Sequence, residues 1–194
     1  MSKTLYLMRH GQTLFNVRRK IQGWCDSPLT ETGIKQAKLA GKYFKDNNIN
    51  FNEAYCSTAE RASDTLELVT KLPYKRLKGL REFGFGAFES ESEDLNPQFD
   101  PYKHYGDFFV QYGGEDSTAG EERFNSTVDH IMDNSKNNDN ILIVAHAGVI
   151  TAFSSKWYDP VKLHSDGFTN CSILKFTYDS DKYHFKELIN PTVK

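Results

Sequence analysis

Residues 141–148 have the sequence Ile-Leu-Ile-Val-Ala-His-Ala-Gly, and this stretch decides the fold class. Its first five residues form an uninterrupted apolar run rich in β-branched side chains. Such a run is typical of a strand buried on both faces of a parallel sheet. A histidine follows the run at once, and the residues after it predict a short helix. Because a polar side chain directly after a buried strand must find partners, we expect a functional site near His146.

The rest of the chain alternates between strand-like and helix-like patterns. Further strands are predicted at residues 5–8, 51–56 and 75–80, and a closing hairpin at residues 172–178 and 183–188. Helices are predicted where apolar residues recur at helical spacing, after the N-cap candidate Thr30, along residues 59–69 and over residues 118–135. This alternation predicts a three-layer α/β/α sandwich with a mostly parallel sheet, to which the hairpin adds an antiparallel edge strand.

Length and composition restrict the class of protein. The 194 residues suit one domain spanning 1–194, and the 38% apolar and 13% aromatic content suffices for a core. A formal net charge of −2 argues against a dedicated nucleic-acid binder, which usually carries a basic excess. The apolar run is far shorter than the ~20 residues that span a membrane, and Arg9 and His10 interrupt any signal-peptide core. We therefore expect a soluble, cytoplasmic protein that binds neither nucleic acid nor membrane.

Cysteine and histidine spacing gives no sign of a disulfide framework or a metal centre. The three cysteines, Cys25, Cys56 and Cys171, are odd in number, widely spaced and form no CxxC pair. Four histidines lack metal-ligand spacing, and we assign them no role: His104, His130, His164 and His184.

Residues 83–116 differ in character from the rest of the chain. They are aromatic, acidic and without a clear period, so we expect a long lid-like excursion beside the site, with some helix at residues 102–112. From Glu82 to Asp116 the chain carries nine carboxylates against one lysine, Lys103. The aromatic residues, many of which we expect in the core, are Phe83, Phe85, Phe88, Phe99, Tyr102, Tyr105, Phe108, Phe109 and Tyr112.

Reactive side chains follow the predicted strands at the edge where open α/β sheets bind ligands. In chain order they are Arg9 and His10, then Arg61, then Glu82, and finally His146. Each has an ordinary alternative when taken alone, since a lone histidine is usually a hydrogen-bonded core or surface residue and a lone arginine a surface ion pair. The predicted sheet brings all five to one edge, and this convergence favours a functional site.

At these positions the sequence resembles the histidine phosphatase superfamily, which includes the cofactor-dependent phosphoglycerate mutases. The resemblance extends from Leu5 to about Leu174 and depends on an ordered set of motifs. They are Arg9-His10-Gly11-Gln12-Thr13 with Asn16; Gln22-Gly23; Asp26, Pro28, Thr30, Gly33, Gln36 and Ala37; Ser57, Arg61, Ala62 and Thr65; Leu80-Arg81-Glu82 with Gly86, Phe88 and Glu89; Gly113-Gly114-Glu115 with Arg123; Val144-Ala145-His146-Ala147-Gly148; and Asn170-Cys171-Ser172.

The resemblance implies phosphoryl transfer through a phosphohistidine on His10. The positive charges of Arg9 and Arg61 would disfavour protonation of that imidazole, and their forked donors suit phosphate oxygens in the ground and transition states. Glu82 would protonate the leaving oxygen and then, as a carboxylate, activate the water that hydrolyses the phosphohistidine.

The resemblance also implies which groups complete the phosphate pocket. They are the side chains of Asn16, Gln22 and His146, the last protonated when phosphate is bound, the residue Gly23, and the backbone N–H of Ala147 at a helix start. No metal ion and no cofactor is implied, because the arginines supply the charge compensation that Mg²⁺ gives in kinases.

Departures from the family pattern bear on the type of reaction. Ala147 stands where many members have glycine, and Ser90 replaces a frequent glycine after Glu89. Mutases are typically longer and carry a basic insertion after the acid, whereas residues 83–116 are acidic and aromatic. That character favours an organic monophosphate with apolar surface over a polyanion, although the cations Arg18, Arg19 and Lys20 weaken the argument.

The sequence thus favours a metal-independent phosphatase of small organic phosphomonoesters, a monomer or homodimer. One alternative within the family is a cofactor-dependent phosphoglycerate mutase. An alternative of another class is a non-catalytic phosphate-binding module. Such a module could lose His10 or Glu82, and this chain retains both.

Overall fold

A computed structural model describes residues 2–98, 102 and 104–192 of the chain. It contains a six-stranded sheet. The strands are β1 (Lys3–Arg9), β2 (Glu53–Ser57), β3 (Lys75–Leu77), β4 (Asn140–Ala145), β5 (Ile173–Asp179) and β6 (Lys182–Ile189), in the spatial order β3-β2-β4-β1-β5-β6. The first four strands are parallel, whereas β5 is antiparallel to β1 and β6 to β5. The prediction of a mostly parallel sheet with antiparallel pairing at one edge is confirmed.

Helices cover both faces of the sheet. They are α1 (Leu14–Val17), α2 (Glu31–Asp46), α3 (Glu60–Val69), α4 (Ser117–Asn134), α5 (Ala147–Ser154) and α6 (Pro160–Ser165). Alternate side chains of β1 enter separate cores, with Leu5 and Leu7 on the side of α4 and α5, and Tyr6 and Met8 on the side of α2 and α3. The predicted three layers follow from this division.

The long helices begin at side chains that satisfy free backbone N–H groups. Thr30 caps α2 by accepting from the N–H of Gly33 at 3.0 Å, as predicted. Asp116 caps α4 by accepting from the N–H groups of Thr118 and Ala119. The buried side of α4 carries the predicted residues Phe124, Val128, Ile131 and Met132. None of the helices in the part of the chain that the structure describes is long and apolar enough to cross a membrane.

Residues 83–116 form turns that line one side of the site. The segment has single 3₁₀ turns at Gly86–Phe88, Glu93–Leu95 and Val110–Tyr112, so the helix predicted at 102–112 is confirmed only as its last turn. Rings pack edge to face around Phe109, which is buried. Movement of the segment as a lid stays a prediction, and Phe99, Asp100 and Lys103 lie outside the described residues.

Candidate active site

A cavity of about 270 Å³ opens at the carboxyl ends of the parallel strands. Eight of the nine residues that the sequence assigns to the site line it: Arg9, His10, Asn16, Gln22, Gly23, Arg61, Glu82 and Ala147. The ninth, His146, is fully buried beside it, with its ring centroid 5.3 Å from that of His10. The fold therefore brings the predicted residues together, as the convergence of parallel strand ends requires.

His10 follows β1 and is held in one orientation by the backbone. Its Nδ1 lies 2.8 Å from the carbonyl oxygen of Gly11. Because a carbonyl only accepts hydrogen bonds, Nδ1 carries the proton of the neutral ring and Nε2 keeps its lone pair. Burial, and then the charges of Arg61 and Arg9, lower the pKa of His10 well below its usual value. The ring is therefore neutral at pH 7, with a free lone pair on Nε2.

Arg9 and Asn16 present hydrogen-bond donors to the cavity. The Nε atom of Arg9 is buried and has no partner among the residues described, and burial lowers the pKa of this guanidinium. The amide oxygen of Asn16 accepts from the N–H of Thr13 at 3.0 Å and from Asn170 at 3.3 Å, which leaves its NH₂ group as a donor. Asn170 also donates to the carbonyl of His10 at 3.0 Å, so the two asparagines fix the loop after β1.

Arg61 lies in the first turn of α3 with its side chain 1% exposed. Its Nη1 donates to the carbonyl of Cys25 at 2.8 Å and to Asp26 at 3.0 Å, and its Nη2 donates to the carbonyl of Gly23 at 2.9 Å. A guanidinium has five N–H donors, so Nε and one Nη2 hydrogen remain for a ligand. Nε indeed has no partner within residues 2–98, 102 and 104–192. The arrangement suits bidentate binding of an oxyanion.

His146 directly follows β4 and makes its side-chain hydrogen bond away from the cavity. Its Nε2 lies 2.7 Å from Oγ of Ser57, and its buried Nδ1 has no partner in the described part of the chain. Burial, followed by the charges of Arg61, His10, Arg123 and Arg9, lowers its pKa well below the usual value. The ring is neutral without an anion, so the protonation expected on phosphate binding requires a change from this state.

Glu82 reaches the first turn of α5. Its carboxylate accepts from the backbone N–H groups of Phe83 at 3.1 Å, Gly148 at 2.9 Å and Val149 at 3.0 Å. These contacts satisfy three of the roughly four lone-pair directions of a carboxylate and leave one on Oε2. Ala147 lines the cavity, and the N–H groups of α5 that Glu82 accepts from are those of the next two residues.

Gln22 and Gly23 belong to the loop that holds Arg61. Gln22 accepts at Oε1 from the hydroxyl of Thr13 at 3.0 Å, so its NH₂ group is left to donate. Gly23 has φ +55, and a Cβ there would meet Glu89 Oε1 at 2.5 Å. Only glycine combines this left-handed backbone with so close an approach.

Two histidines to which the sequence analysis assigned no role lie against the cavity. His104, whose ring tilts against Phe83, and His164 of α6 both line it. Lys20 and Glu93 line it as well. The signal for His164 was its position soon after Asp159-Pro160, an N-cap and first-turn proline that indicate a helix start. Among the described residues, no group of three or more His, Cys, Asp or Glu side chains could hold a metal ion.

Fold and site together define an α/β sandwich with a neutral histidine and unpaired arginine donors at the carboxyl edge of its sheet. Residues 5–191 match the family model of the histidine phosphatase superfamily (branch 1). The chain belongs to this superfamily, whose members are enzymes that include mutases and phosphatases.

Proteins similar to this chain include some that are named as mutases and some that are named as phosphatases. A 2,3-bisphosphoglycerate-dependent phosphoglycerate mutase of Buchnera aphidicola subsp. Cinara cedri is 38% identical over 115 residues, which cover 56% of this chain and 48% of that protein. The chain thus matches about half the length of this curated relative. A phosphoglycerate mutase structure from Bacillus anthracis str. Sterne has a TM-score of 0.81 at 29% identity, covering 95% of this chain and 92% of that one. A phosphoserine phosphatase structure from Entamoeba histolytica, in complex with 3-phosphoglyceric acid, has a TM-score of 0.76 at 25% identity, covering 96% of each chain.

Proposed function

We propose that this protein is a metal-independent phosphatase that hydrolyses small organic phosphomonoesters through a phosphohistidine on His10. The observation that carries the proposal is the 2.8 Å contact between His10 Nδ1 and the Gly11 carbonyl. It holds the proton on Nδ1 and leaves Nε2, which has no hydrogen bond to the described chain, to attack phosphorus. The lowered pKa of His10 supports the same role, because only the neutral ring is a nucleophile.

In the first step, the lone pair of His10 Nε2 forms a bond to phosphorus and the ester P–O bond breaks. The leaving oxygen takes a proton from Oε2 of Glu82, which has the lone-pair direction left over by its backbone contacts. Arg9 and the two unused donors of Arg61 bind the equatorial oxygens and compensate the charge that spreads over them. The product is an alcohol and a phosphorylated His10.

In the second step, water attacks phosphorus on the side that the alcohol has left. The Glu82 carboxylate accepts a proton from this water, the P–N bond breaks, and its electron pair returns to Nε2 of His10. Inorganic phosphate is released and Glu82 is again protonated for the next substrate. Donors from Asn16 and from the N–H groups of Gly23 and Ala147 hold the phosphoryl group in both steps.

Aromatic side chains in the lining of the cavity support a monoester with apolar surface. Phe83, Phe85 and Tyr105 line the cavity, and so does Glu93, which carries a carboxylate. A substrate with a second strong anion would meet that carboxylate, whereas an apolar leaving group packs against the rings. The partner of the site is therefore a small-molecule phosphomonoester.

The position of Lys20 favours the alternative function, that of a phosphoglycerate mutase. Its side chain lines the cavity and donates to the carbonyl of Ser90 at 2.7 Å. Arg19 pairs with Asp94 at 2.7 Å and with Glu93 at 3.9 Å, and all three side chains are exposed. Because Arg19 is already paired with two carboxylates, the rim is a weak site for the bisphosphorylated, carboxylate-bearing intermediate that a mutase must retain. The phosphatase reaction is therefore preferred.

Phosphate release from a panel of monoesters tests the proposal. Small organic monophosphates and an aryl phosphate should release inorganic phosphate, and rapid acid quench should trap an acid-labile phosphoenzyme. His10→Ala should abolish both signals, because it removes the nitrogen that forms the bond to phosphorus, whereas His130→Ala, at an exposed position, should keep them. Turnover should also survive excess EDTA.

Three results would contradict the proposed function. Isomerisation of 3-phosphoglycerate with catalytic 2,3-bisphosphoglycerate, faster than phosphate release from any monoester, would establish the mutase. Phosphate binding without turnover of any substrate would identify a binding module. Loss of activity in EDTA with recovery on Mg²⁺ or Zn²⁺ would contradict the metal-independent mechanism.

A further inference from the structure

The carboxylate of Glu89 lies behind the phosphate-binding loop and binds its backbone. Oε1 accepts from the N–H of Trp24 at 2.8 Å and from the N–H of Phe85 at 3.1 Å, and Oε2 accepts from the N–H of Cys25 at 2.6 Å. No cation of the described chain pairs with Glu89, so these backbone donors alone satisfy its charge. The carboxylate also touches the place that a Cβ of Gly23 would occupy.

The same loop is bound by Arg61 from its other side. The carbonyl of the peptide unit between Gly23 and Trp24 accepts from Arg61 at 2.9 Å, while the N–H of that unit donates to Glu89 at 2.8 Å. One peptide group thus lies between a buried positive charge and a carboxylate. Hydrogen bonds in such a chain polarise one another, so the orientation of Arg61 depends on the carboxylate beyond the peptide.

On this geometry, and given the proposed phosphatase reaction, we propose that Glu89 is a positioning residue for phosphate binding. It does not touch the phosphate. It fixes the peptide units at residues 23–25, and these hold the Nη groups of Arg61 so that Nε and the remaining Nη2 hydrogen face the cavity. Gly23, which lines the cavity in the same loop, is fixed by the same contacts.

Binding of inorganic phosphate, measured by calorimetry, tests this role without requiring turnover. Glu89→Gln places an NH₂ group against backbone N–H donors, so at least one loses its partner and the loop shifts. We expect the dissociation constant for phosphate to rise about tenfold and the KM for a monoester to rise with it. Glu91→Gln removes the same charge from an exposed position two residues further on and should change neither.

A second pair of measurements separates positioning from general loss of structure. In an Arg61→Gln background, Glu89→Gln should change the phosphate dissociation constant by less than about twofold, because the effect passes through Arg61. If that background does not fold, the NMR resonance of Arg61 Nε–H replaces the cycle. It should shift in Glu89→Gln and stay unchanged in Glu91→Gln.

The outcomes distinguish this proposal from the proposed function. A wild-type protein that binds phosphate while Glu89→Gln binds it equally well overturns the role of Glu89 alone. Equal effects of Glu89→Gln with and without Arg61, or an unmoved Arg61 resonance, overturn it too. A wild-type protein that neither binds phosphate nor hydrolyses monoesters overturns the proposed function itself.

Discussion

Hydrogen bonds to backbone groups fix the orientation of the ionisable side chains in this site. The Gly11 carbonyl orients His10, loop carbonyls bind Arg61, and three N–H groups bind Glu82. A peptide group does not titrate, so these orientations do not change when a neighbouring side chain gains or loses a proton. The proposed reaction exchanges a proton in each of its two steps and needs such fixed partners.

Glu82→Gln is expected to reduce turnover on the order of 10²–10⁴-fold, the usual scale for one general acid–base group. An amide can neither protonate the leaving oxygen nor accept a proton from water. Its NH₂ group opposes either the N–H groups of Phe83 and Val149, if it replaces Oε1, or the N–H of Gly148, if it replaces Oε2, so we expect the free energy of unfolding to fall by about 1–3 kcal/mol. Steady-state hydrolysis of an aryl phosphate and urea unfolding measure the two effects.

Glu122→Gln is the matched control for that substitution, since its carboxylate is exposed on α4 and removes the same charge. It should leave both measurements within error of the wild type. Turnover by Glu82→Gln above about a tenth of the wild-type rate would assign the acid–base role to another group.

At the level of elements, the sequence predicts those with a strong period and misses those without one. Strand β4 and helices α2 and α4 follow from their apolar patterns and caps. Helix α1 has four residues and no buried side chain, so no apolar period could indicate it. The strand predicted at 75–80 ends at Leu77, because a 3₁₀ turn begins at Lys78.

The same distinction explains which site residues were predictable. Residues that directly follow a strand, such as His10 and His146, are placed by the topology of the sheet. His104 reaches the cavity from a turn segment, and the contacts that bend this segment are long-range and between aromatic side chains. Such contacts leave no local pattern in the sequence. The sequence therefore places residues 83–116 beside the site but does not indicate that His104 lines the cavity.

Ser90 holds a backbone conformation that glycine adopts at lower cost. Its φ is +68, its N–H donates to the carbonyl of Ile21 at 2.8 Å, and its side chain makes no hydrogen bond to the described residues. Ser90→Gly relieves a steric cost of about 1–2 kcal/mol and adds an entropic cost of about 0.5–1 kcal/mol. We expect a net rise of about 0.5–1 kcal/mol in the free energy of unfolding, measured with urea.

Ala87→Gly controls for the entropic part, because Ala87 is exposed in the same segment and its φ is not positive. It should lower the free energy of unfolding by about 0.5–1 kcal/mol. If Ser90→Gly lowers stability as much as Ala87→Gly does, the backbone at residue 90 is not strained.

For the molecule as a whole, two buried neutral histidines make stability depend on pH. Burial and neighbouring arginine charges lower the pKa of both His10 and His146 in the native state, whereas the unfolded chain titrates near about 6.5. Below that pH the unfolded chain binds protons that the native state does not. The free energy of unfolding therefore falls as pH falls, by up to about 2.7 kcal/mol per unit for the two rings together.

Urea unfolding of the wild type and of His10→Gln at about pH 7 and about pH 5.5 measures this dependence. The two histidines contribute part of the fall in the free energy of unfolding between these pH values, and His10→Gln should lose about half of that part. His130→Gln, at an exposed position, should keep the wild-type difference. An identical pH dependence in His10→Gln and the wild type would mean that His10 titrates normally in the native state.

Strand β1 lies in the middle of the sheet, and its partners come late in the chain. Thr4 pairs with Asn140 and Lys3 with Tyr178, separations of 136 and 175 residues. During synthesis the histidine that follows β1 is made well before the two strands that flank β1 in the sheet. Long-range pairing of this kind slows folding. A nascent chain therefore carries the imidazole of His10 on an unpaired segment until β4 and β5 have been synthesised, and only then can the cavity assemble.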